Sequence, residues 1–132
     1  MFLNMLKAKL HKATVTSRSI QYAGSISVDE DLLDAVGLIP NEMVWIFNIN
    51  NGQRFQTYVI RGDRGSKEIQ VNGAAARLAE EGDRIIIISS AMMTEEEART
   101  YKPKVLVLDD KNNVVEYLEY LPAHLESEVP GL

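Results

Sequence analysis

Residues 43–60 read MVWIFNINNGQRFQTYVI, in which two runs rich in β-branched and aromatic residues flank the polar segment Asn50-Asn51-Gly52-Gln53. An Asn-Gly pair between such runs is the strongest short signal for a β-hairpin, because both residues tolerate the left-handed backbone of a tight turn. The stretch therefore predicts strands over Met43 to Ile49 and Arg54 to Ile60. Side chains of the second strand alternate between two faces, with Arg54, Gln56 and Tyr58 on one and Phe55, Thr57 and Val59 on the other.

Further short strands are predicted on both sides of this hairpin. Leu6, Ala8 and Leu10 alternate with charged residues, but the apolar residues change parity after Lys12, so we expect a bulge there or a polar face that runs into buried surface. The apolar run Ile85 to Ile88 is typical of a strand buried on both faces. Other strands are expected over 68–71, 105–108 and 114–118.

Short helical segments lie between the predicted strands. Asp29 to Val36 begins with acidic residues and stops at Gly37, and the capping box of Thr94 and Glu97 starts a helix that ends before Pro103. A helical turn is expected over 74–80. Many short strands with a few short helices indicate a mainly β fold, a closed β-barrel, and residues 1–132 are expected to form a single domain.

Composition excludes several classes of function. The 132 residues carry a net charge of −5 with dispersed Lys and Arg, so we expect no nucleic-acid partner. The chain has no Cys, and its two His are far apart, so no metal site is expected. Lys7 and Lys9 interrupt the apolar N-terminus before a signal peptide or membrane span could form, which predicts a cytoplasmic protein with no membrane partner.

Several residues have types and spacings that suit chemistry. Arg54 and Tyr58 can place a carboxylate fork beside a phenol that donates a proton, although a surface cation beside a half-buried Tyr has the same pattern. Lys9 and His11 can hold an anion, with solvated strand charges as the alternative. The segment Asn72-Gly73-Ala74-Ala75-Ala76 can offer free backbone N–H groups to an anion, or can be a tight strand-to-helix turn.

The pair Gly24-Ser25 can be a self-cleavage site. A serine hydroxyl attacks the preceding carbonyl when the backbone is held in a strained geometry, and glycine permits backbone angles that a residue with a Cβ cannot reach. The resulting ester can eliminate to a dehydroalanine, which hydrolyses to a pyruvoyl group with loss of ammonia. A plain turn is the alternative, because Gly and Ser are ordinary turn residues.

Five segments in this order resemble the bacterial aspartate 1-decarboxylase family, and the resemblance runs from about Met5 to Pro103. They are Lys9-Leu10-His11, Tyr22-Ala23-Gly24-Ser25, Asn51-Gly52-Gln53-Arg54-Phe55-Gln56-Thr57-Tyr58, Arg64-Gly65-Ser66 and Asn72-Gly73-Ala74-Ala75-Ala76.

The resemblance implies a double-psi β-barrel that assembles as a homotetramer with active sites between subunits. It implies a proenzyme that cleaves itself between Gly24 and Ser25 into a β-chain (1–24) and an α-chain (25–132), whose covalent pyruvoyl cofactor comes from Ser25. The implied reaction converts L-aspartate to β-alanine and CO2 through a Schiff base on that group. β-Alanine is a precursor of pantothenate and so of coenzyme A.

Roles are carried over by residue match. Tyr58 would be the proton donor, Arg54 and Lys9 would hold a substrate carboxylate, and Thr57 would polarise the Gly24 carbonyl and also contact substrate. The other matched residues would contact the substrate or line the pocket: Asn72 near the enolate, Gly73, Ala74 and Ala75 through their backbone, and His11 and Tyr22 beside the pyruvoyl group.

Two features depart from the family pattern, and a third conflicts with the roles carried over from it. Phe47 stands where the family often has Trp, with Trp45 two residues earlier on the same face. No role is carried onto the tail after Pro103, including His124. Thr57 faces opposite to Arg54 and Tyr58 in a regular strand, which favours a site between subunits over a bent strand.

Two other functions stay open at this point. A non-catalytic barrel with an uncut Gly24-Ser25 loop would have no reason to retain Thr57, Tyr58 and Arg54 together. A pyruvoyl enzyme for another amino acid, such as glutamate, is harder to separate, because Arg54 recognises a carboxylate whatever carries it.

Overall fold

The computed structural model describes residues 1–20 and 23–119, which form nine strands and three short helices. The strands are β1 (Phe2–Thr14), β2 (Ser17–Ser19), β3 (Ser25–Asp29), β4 (Met43–Asn48), β5 (Arg54–Gly62), β6 (Ile69–Asn72), β7 (Arg84–Thr94), β8 (Lys104–Leu108) and β9 (Val114–Glu119). The helices are α1 (Glu30–Val36), α2 (Glu95–Thr100) and a 3₁₀ helix (Gly73–Arg77). None of the helices in this part of the chain is long and apolar enough to span a membrane.

All nine strands belong to one sheet in the order β2-β6-β3-β5-β4-β7-β1-β8-β9. The pairs β1–β8, β2–β6 and β3–β5 are parallel, and the other neighbours are antiparallel. The main hydrophobic core fills the inner face, where Leu10, Ile26, Ile46, Ile69 and Ile85 are fully buried, and a second, small cluster holds Val105 and Val107. The mainly β fold class with short helices is confirmed, and the mixed sheet is consistent with a double-psi β-barrel.

The predicted hairpin is confirmed as β4 and β5. Its register pairs Met43 with Tyr58 and Phe47 with Arg54, and Gly52 takes the left-handed backbone of the turn with φ 75°. The two faces of β5 are also as predicted. Phe55, Thr57 and Val59 are buried in the core, whereas Arg54 and Gln56 are exposed and Tyr58 is half-buried.

The parity change after Lys12 is a bulge, as one of the two sequence interpretations held. The register of β1 against β7 shifts between Leu10 and Ala13, and Lys12 itself has φ 61°. A left-handed backbone at a residue with a Cβ is strained, and Arg84 stabilises it by donating two hydrogen bonds of 3.1 and 2.8 Å to the Lys12 carbonyl. The bulge keeps Ala13 in the core although Lys12 is not.

The expectation for 85–88 was wrong in one respect. Ile85 and Ile87 are fully buried, but Ile86 and Ile88 on the other face are only half-buried. An apolar run shows that both faces of a strand carry apolar side chains, but it does not show which part of the protein packs against each face. The second face of β7 belongs to the outer surface of the sheet in this chain.

Helix ends follow the predicted capping chemistry. Asp29 caps α1 by accepting from the Asp31 N–H at 2.8 Å, and Gly37 closes it with φ 74°. Thr94 and Glu97 form the capping box of α2. The turn expected over 74–80 is shorter and tighter than predicted, because it is the 3₁₀ helix over Gly73–Arg77.

Strands β2 and β3 flank the end of β6. β2 runs parallel to β6 on one side and pairs Ser19 with Asn72, whereas β3 runs antiparallel on the other side and pairs Ser25 with the same Asn72. Ser19 and Ser25 therefore lie at the same level on opposite sides of Asn72.

Candidate active site

Ser25 is the first residue of β3 and is 1% exposed. The fully buried Asn72 donates from Nδ2 to Ser25 Oγ at 2.9 Å, and the Ser25 hydroxyl donates to the Ala23 carbonyl at 3.4 Å. Ile26 faces the core with its partners Val59 and Val71, so Ser25, one residue earlier, points to the opposite side of β3. Its side chain is nevertheless buried there. A serine hydroxyl is thus held away from water beside the Gly24 peptide.

Three polar residues that sequence reasoning missed extend this contact. Asn72 Nδ2 also donates to Ser27 Oγ at 3.2 Å, and Asn72 Oδ1 accepts from Gln70 Nε2 at 2.6 Å. Ser17 Oγ in turn donates to Gln70 Oε1 at 2.9 Å. The signal was present as two-residue spacing, because Gln70 precedes Asn72 and Ser27 follows Ser25 on the same side of their strands.

Gly24 does not have the unusual backbone that the sequence suggested. Its φ is not among the positive values of the chain, and a Cβ built on it would meet no atom within 4 Å. The left-handed backbone that glycine permits is therefore not used at position 24 in this structure. A requirement for glycine at position 24 would therefore have to arise from a backbone conformation that forms during cleavage.

Cross-strand pairs place the candidate substrate-binding residues on one outer face. Lys9 pairs with Ile88, Ile88 with Trp45, and Trp45 with Gln56, which gives one row across four strands. Tyr58 pairs with Met43, and Arg54 pairs with Phe47, on the same face as that row. We call this surface of β1, β7, β4 and β5 the outer face.

Arg54 is held in place by an aromatic ring. Its guanidinium carbon lies 4.6 Å from the centroid of the Phe47 ring, and the ring centroids of Phe47 and Trp45 are 6.4 Å apart. No carboxylate in residues 1–20 and 23–119 forms an ion pair with Arg54, so its five donors are free to bind an anion. Phe47 thus supplies a face on which Arg54 stacks.

Lys9 is the second cation of the outer face. It is half-buried, and burial lowers the pKa of its ammonium below the usual 10.5, since a charge is less stable away from water. The ion pairs of the described residues do not include Lys9, whereas the neighbouring Lys7 binds Glu42 at 2.8 Å. An anion that bound beside Lys9 would stabilise the charge that burial disfavours.

The remaining candidates are divided between the two faces. Thr57 and His11 are buried, and Thr57 pairs with the core residue Val44, so its predicted position opposite Arg54 and Tyr58 is confirmed. Gly73 is buried with φ 69°, Ala75 is half-buried and Ala74 is exposed at the start of the 3₁₀ helix. Tyr22 and His124 lie outside the described residues.

The fold brings some of these residues together and separates others. Ile26 pairs with Val59 in parallel, so the register continued backwards brings Ser25 to the level of Tyr58 and Gly24 to the level of Thr57. Lys9 is different, because β5, β4 and β7 lie between β3 and β1. Four strand spacings amount to roughly 19 Å along the sheet, so the strand pairing does not bring Lys9 next to Ser25 of the same chain.

The outer face is also more apolar than a solvated surface. Met43 and Trp45 are 52% and 43% exposed, and the half-buried Ile86 and Ile88 lie beside them in the paired rows. Within the described ranges, no group of three or more His, Asp or Glu side chains is placed to hold a metal ion. The face thus combines free cations, a phenol and an apolar surface of the kind that marks an interaction site.

Comparison with known proteins agrees with this chemistry. A family model described as aspartate decarboxylase matches residues 1–115. A Bacillus velezensis protein named aspartate 1-decarboxylase is 56% identical over 94% of this chain and 98% of its own length. Proteins of the same name from Chlorobium chlorochromatii and Bacillus subtilis are 58% and 54% identical, over 86% and 93% of this chain and 88% and 97% of their own lengths.

The backbone at Gly24 gives a first testable expectation. In a chain that also carries Ser25→Ala, so that cleavage cannot intervene, Gly24→Ala should change the free energy of unfolding by less than about 0.5 kcal/mol. Gly37→Ala is the matched control, because φ is 74° there, and it should cost about 1 kcal/mol. Urea denaturation measures both, and an equal loss at the two positions would contradict the relaxed backbone at Gly24.

Proposed function

Because this chain belongs to the aspartate decarboxylase family, and is therefore a carboxy-lyase that converts aspartate to β-alanine, we propose that it acts through a pyruvoyl group made from its own Ser25. The observation that carries this proposal is the covered Ser25 hydroxyl, which Asn72 holds at 2.9 Å directly after Gly24. A serine that served only as a turn residue would have no reason to be buried against an amide donor.

The residues around position 25 fit such a group. The side chain is covered, one amide donor points at Oγ, and a Cβ built at Gly24 would meet no atom within 4 Å. A pyruvoyl group supplies a ketone conjugated to an amide, which condenses with the substrate amine and takes up the electrons that the departing CO2 leaves behind.

Self-cleavage would begin with attack of Ser25 Oγ on the Gly24 carbonyl carbon. The Oγ–carbon bond forms, the amide bond breaks, and the nitrogen of residue 25 takes the proton that Oγ loses. Loss of the α-proton and cleavage of the Cβ–Oγ bond then release the Gly24 carboxylate, and one water replaces nitrogen as ammonia. Thr57, at the level of Gly24 in the parallel register, would polarise the carbonyl under attack.

The outer face supplies the groups that aspartate needs. Arg54, stacked on Phe47, and Lys9 would bind substrate carboxylate, and neither is neutralised by a described acidic residue. Tyr58 would donate the proton that replaces the lost carboxylate at the α-carbon. Pocket contacts would come from Asn72, from the backbone of Gly73, Ala74 and Ala75, and from His11 and Tyr22.

We further propose that each site forms between subunits of a homotetramer. This proposal is supported by the separation of Lys9 and Ser25 by four strand positions in one chain, since a neighbouring copy could supply one of them. The exposed Met43 and Trp45 on the same face give such a copy an apolar surface to cover. We also propose that the enzyme acts in the cytoplasm, where its β-alanine product would serve pantothenate and coenzyme A synthesis.

Intact mass spectrometry tests the self-cleavage. The purified protein should consist of two chains, residues 1–24 and 25–132, with the larger one lighter than a serine-initiated fragment by one ammonia. Ser25→Ala should stay whole and inactive, while Ser90→Ala, on the exposed side of β7, should be cut as before. One full-length unsubstituted chain after prolonged warming would refute the pyruvoyl proposal.

Tyr58→Phe tests the proton donor. The variant should still be cut, because the phenol takes no part in the attack on Gly24, but its kcat should fall by at least about 100-fold. Tyr117→Phe is the control, since Tyr117 is 46% exposed on β9 and bonds only to Glu119 among the described residues. A cut Tyr58→Phe enzyme with unchanged kcat would remove Tyr58 from this role.

Subunit complementation tests the shared site. Lys9→Ala and Ser25→Ala chains should each be inactive alone, but together they should recover activity, because roughly a quarter of the sites in a random mixture hold both unsubstituted residues. Two affinity tags, purified in sequence, isolate the mixed oligomers for assay. Mixed oligomers without activity would show that Lys9 and Ser25 act within one subunit.

A further inference from the structure

A line of hydrogen bonds leads to Ser25 from the edge of the sheet. Ser17 on β2 donates to Gln70 on β6, Gln70 donates to Asn72, and Asn72 donates to Ser25 on β3. The Ser17–Gln70 and Asn72–Ser25 contacts are 2.9 Å long, and the Gln70–Asn72 contact between them is 2.6 Å long. All donors point the same way, so the line has a direction that ends at the Ser25 oxygen.

The direction of this line follows from the single proton of the Ser25 hydroxyl. Because that proton goes to the Ala23 carbonyl, the partner of Ser25 at position 72 has to be a donor, which only the Nδ2 end of the Asn72 amide provides. Oδ1 then faces Gln70, and Gln70 has to present its Nε2. Its Oε1 is left to accept from Ser17.

We propose that Gln70, with Ser17 behind it, is a positioning residue for self-cleavage, which keeps the N–H end of the Asn72 amide on Ser25 Oγ. This inference rests on the proposed cleavage at Gly24-Ser25. Gln70 touches no reacting atom and acts only through Asn72. Without it, the Asn72 amide can rotate and present Oδ1, which cannot donate to the Ser25 oxygen.

The direction matters because Ser25 Oγ becomes more negative during the reaction. It loses its proton as it attacks the Gly24 carbonyl, and it leaves as part of a carboxylate when the Cβ–Oγ bond breaks. An amide N–H aimed at that oxygen stabilises the charge in both steps, whereas an amide oxygen there would repel it. Orientation of the Asn72 side chain therefore controls the rate of the cut and not only the packing of β6.

Gln70→Glu is the decisive variant. An ionised carboxylate has no proton to donate, so Asn72 should turn its Nδ2 towards residue 70, and cleavage should slow by roughly tenfold. A protonated carboxyl group donates again, so the rate relative to the unsubstituted chain should recover as the pH falls towards the usual carboxyl pKa of about 4.3. The paired neighbours Ser17 and Ser27 carry no charge, and every other ionisable group is common to both chains, so the ratio of the two rates isolates position 70.

Chains made by cell-free translation and sampled over time by mass spectrometry give the rates of cutting. Gln70→Met should slow cleavage without recovery at low pH, and Ser17→Ala should slow it less. In an Asn72→Ala chain, Gln70→Met should add nothing, because its route to Ser25 is gone. Gln53→Glu, in the exposed hairpin turn, controls for the added charge and should cut normally.

The outcomes separate the two proposals. If the unsubstituted chain cuts itself and both Gln70 variants are cut at the same rate as that chain, the role of Gln70 is refuted while self-cleavage stands. Two results together would show a structural effect: Gln70→Glu cuts slowly at every pH, and Gln70→Met slows cleavage as much in the Asn72→Ala chain as in the unsubstituted chain. The positioning role is then likewise refuted. An unsubstituted chain that never cuts refutes self-cleavage itself.

Discussion

The pairing of Asn72 with strands on both of its sides is the constraint on which the rest of the structure depends. Ser19 and Ser25 flank the same residue, and the bond proposed for cleavage directly precedes Ser25. A fully buried amide at this point cannot exchange its partners for water. The two pairings thus fix both where Ser25 lies and which atom it contacts.

The alternation of β5 divides the remaining chemistry between two sides of the sheet. Thr57 faces the core at the level of Gly24, whereas Arg54 and Tyr58 lie on the opposite side of the strand, where a substrate can arrive. One strand can serve a reaction of the chain on itself and a reaction on aspartate because successive side chains point in opposite directions. Phe47 provides the aromatic face on which Arg54 stacks.

Local chemistry in the sequence predicted local structure well. The Asn-Gly turn, the capping box at Thr94 and the parity change at Lys12 each act over a few residues, and each is present in the structure. The pairing of β2 and β3 around β6 joins residues about fifty positions apart, and three-residue β2 has no periodicity to detect. The burial of Ile86 and Ile88 was overestimated because it also depends on long-range packing. An apolar run does not show whether its own chain or another chain packs against it. The contacts of Gln70 and Ser17 with Asn72 depend on that same long-range pairing.

One position has to satisfy two opposite requirements. Attack of Ser25 on Gly24 benefits from a covered hydroxyl, because water would compete for the carbonyl and for the donors of Asn72. Decarboxylation needs that same position within reach of aspartate and of cations on the outer face, which a covered residue does not allow. The Gly24-Ser25 bond joins the first residue of β3 to the chain before it, so cleavage turns position 25 into a chain end. In the proposed scheme, the reaction that creates the ketone therefore also frees position 25 from one of its two covalent links.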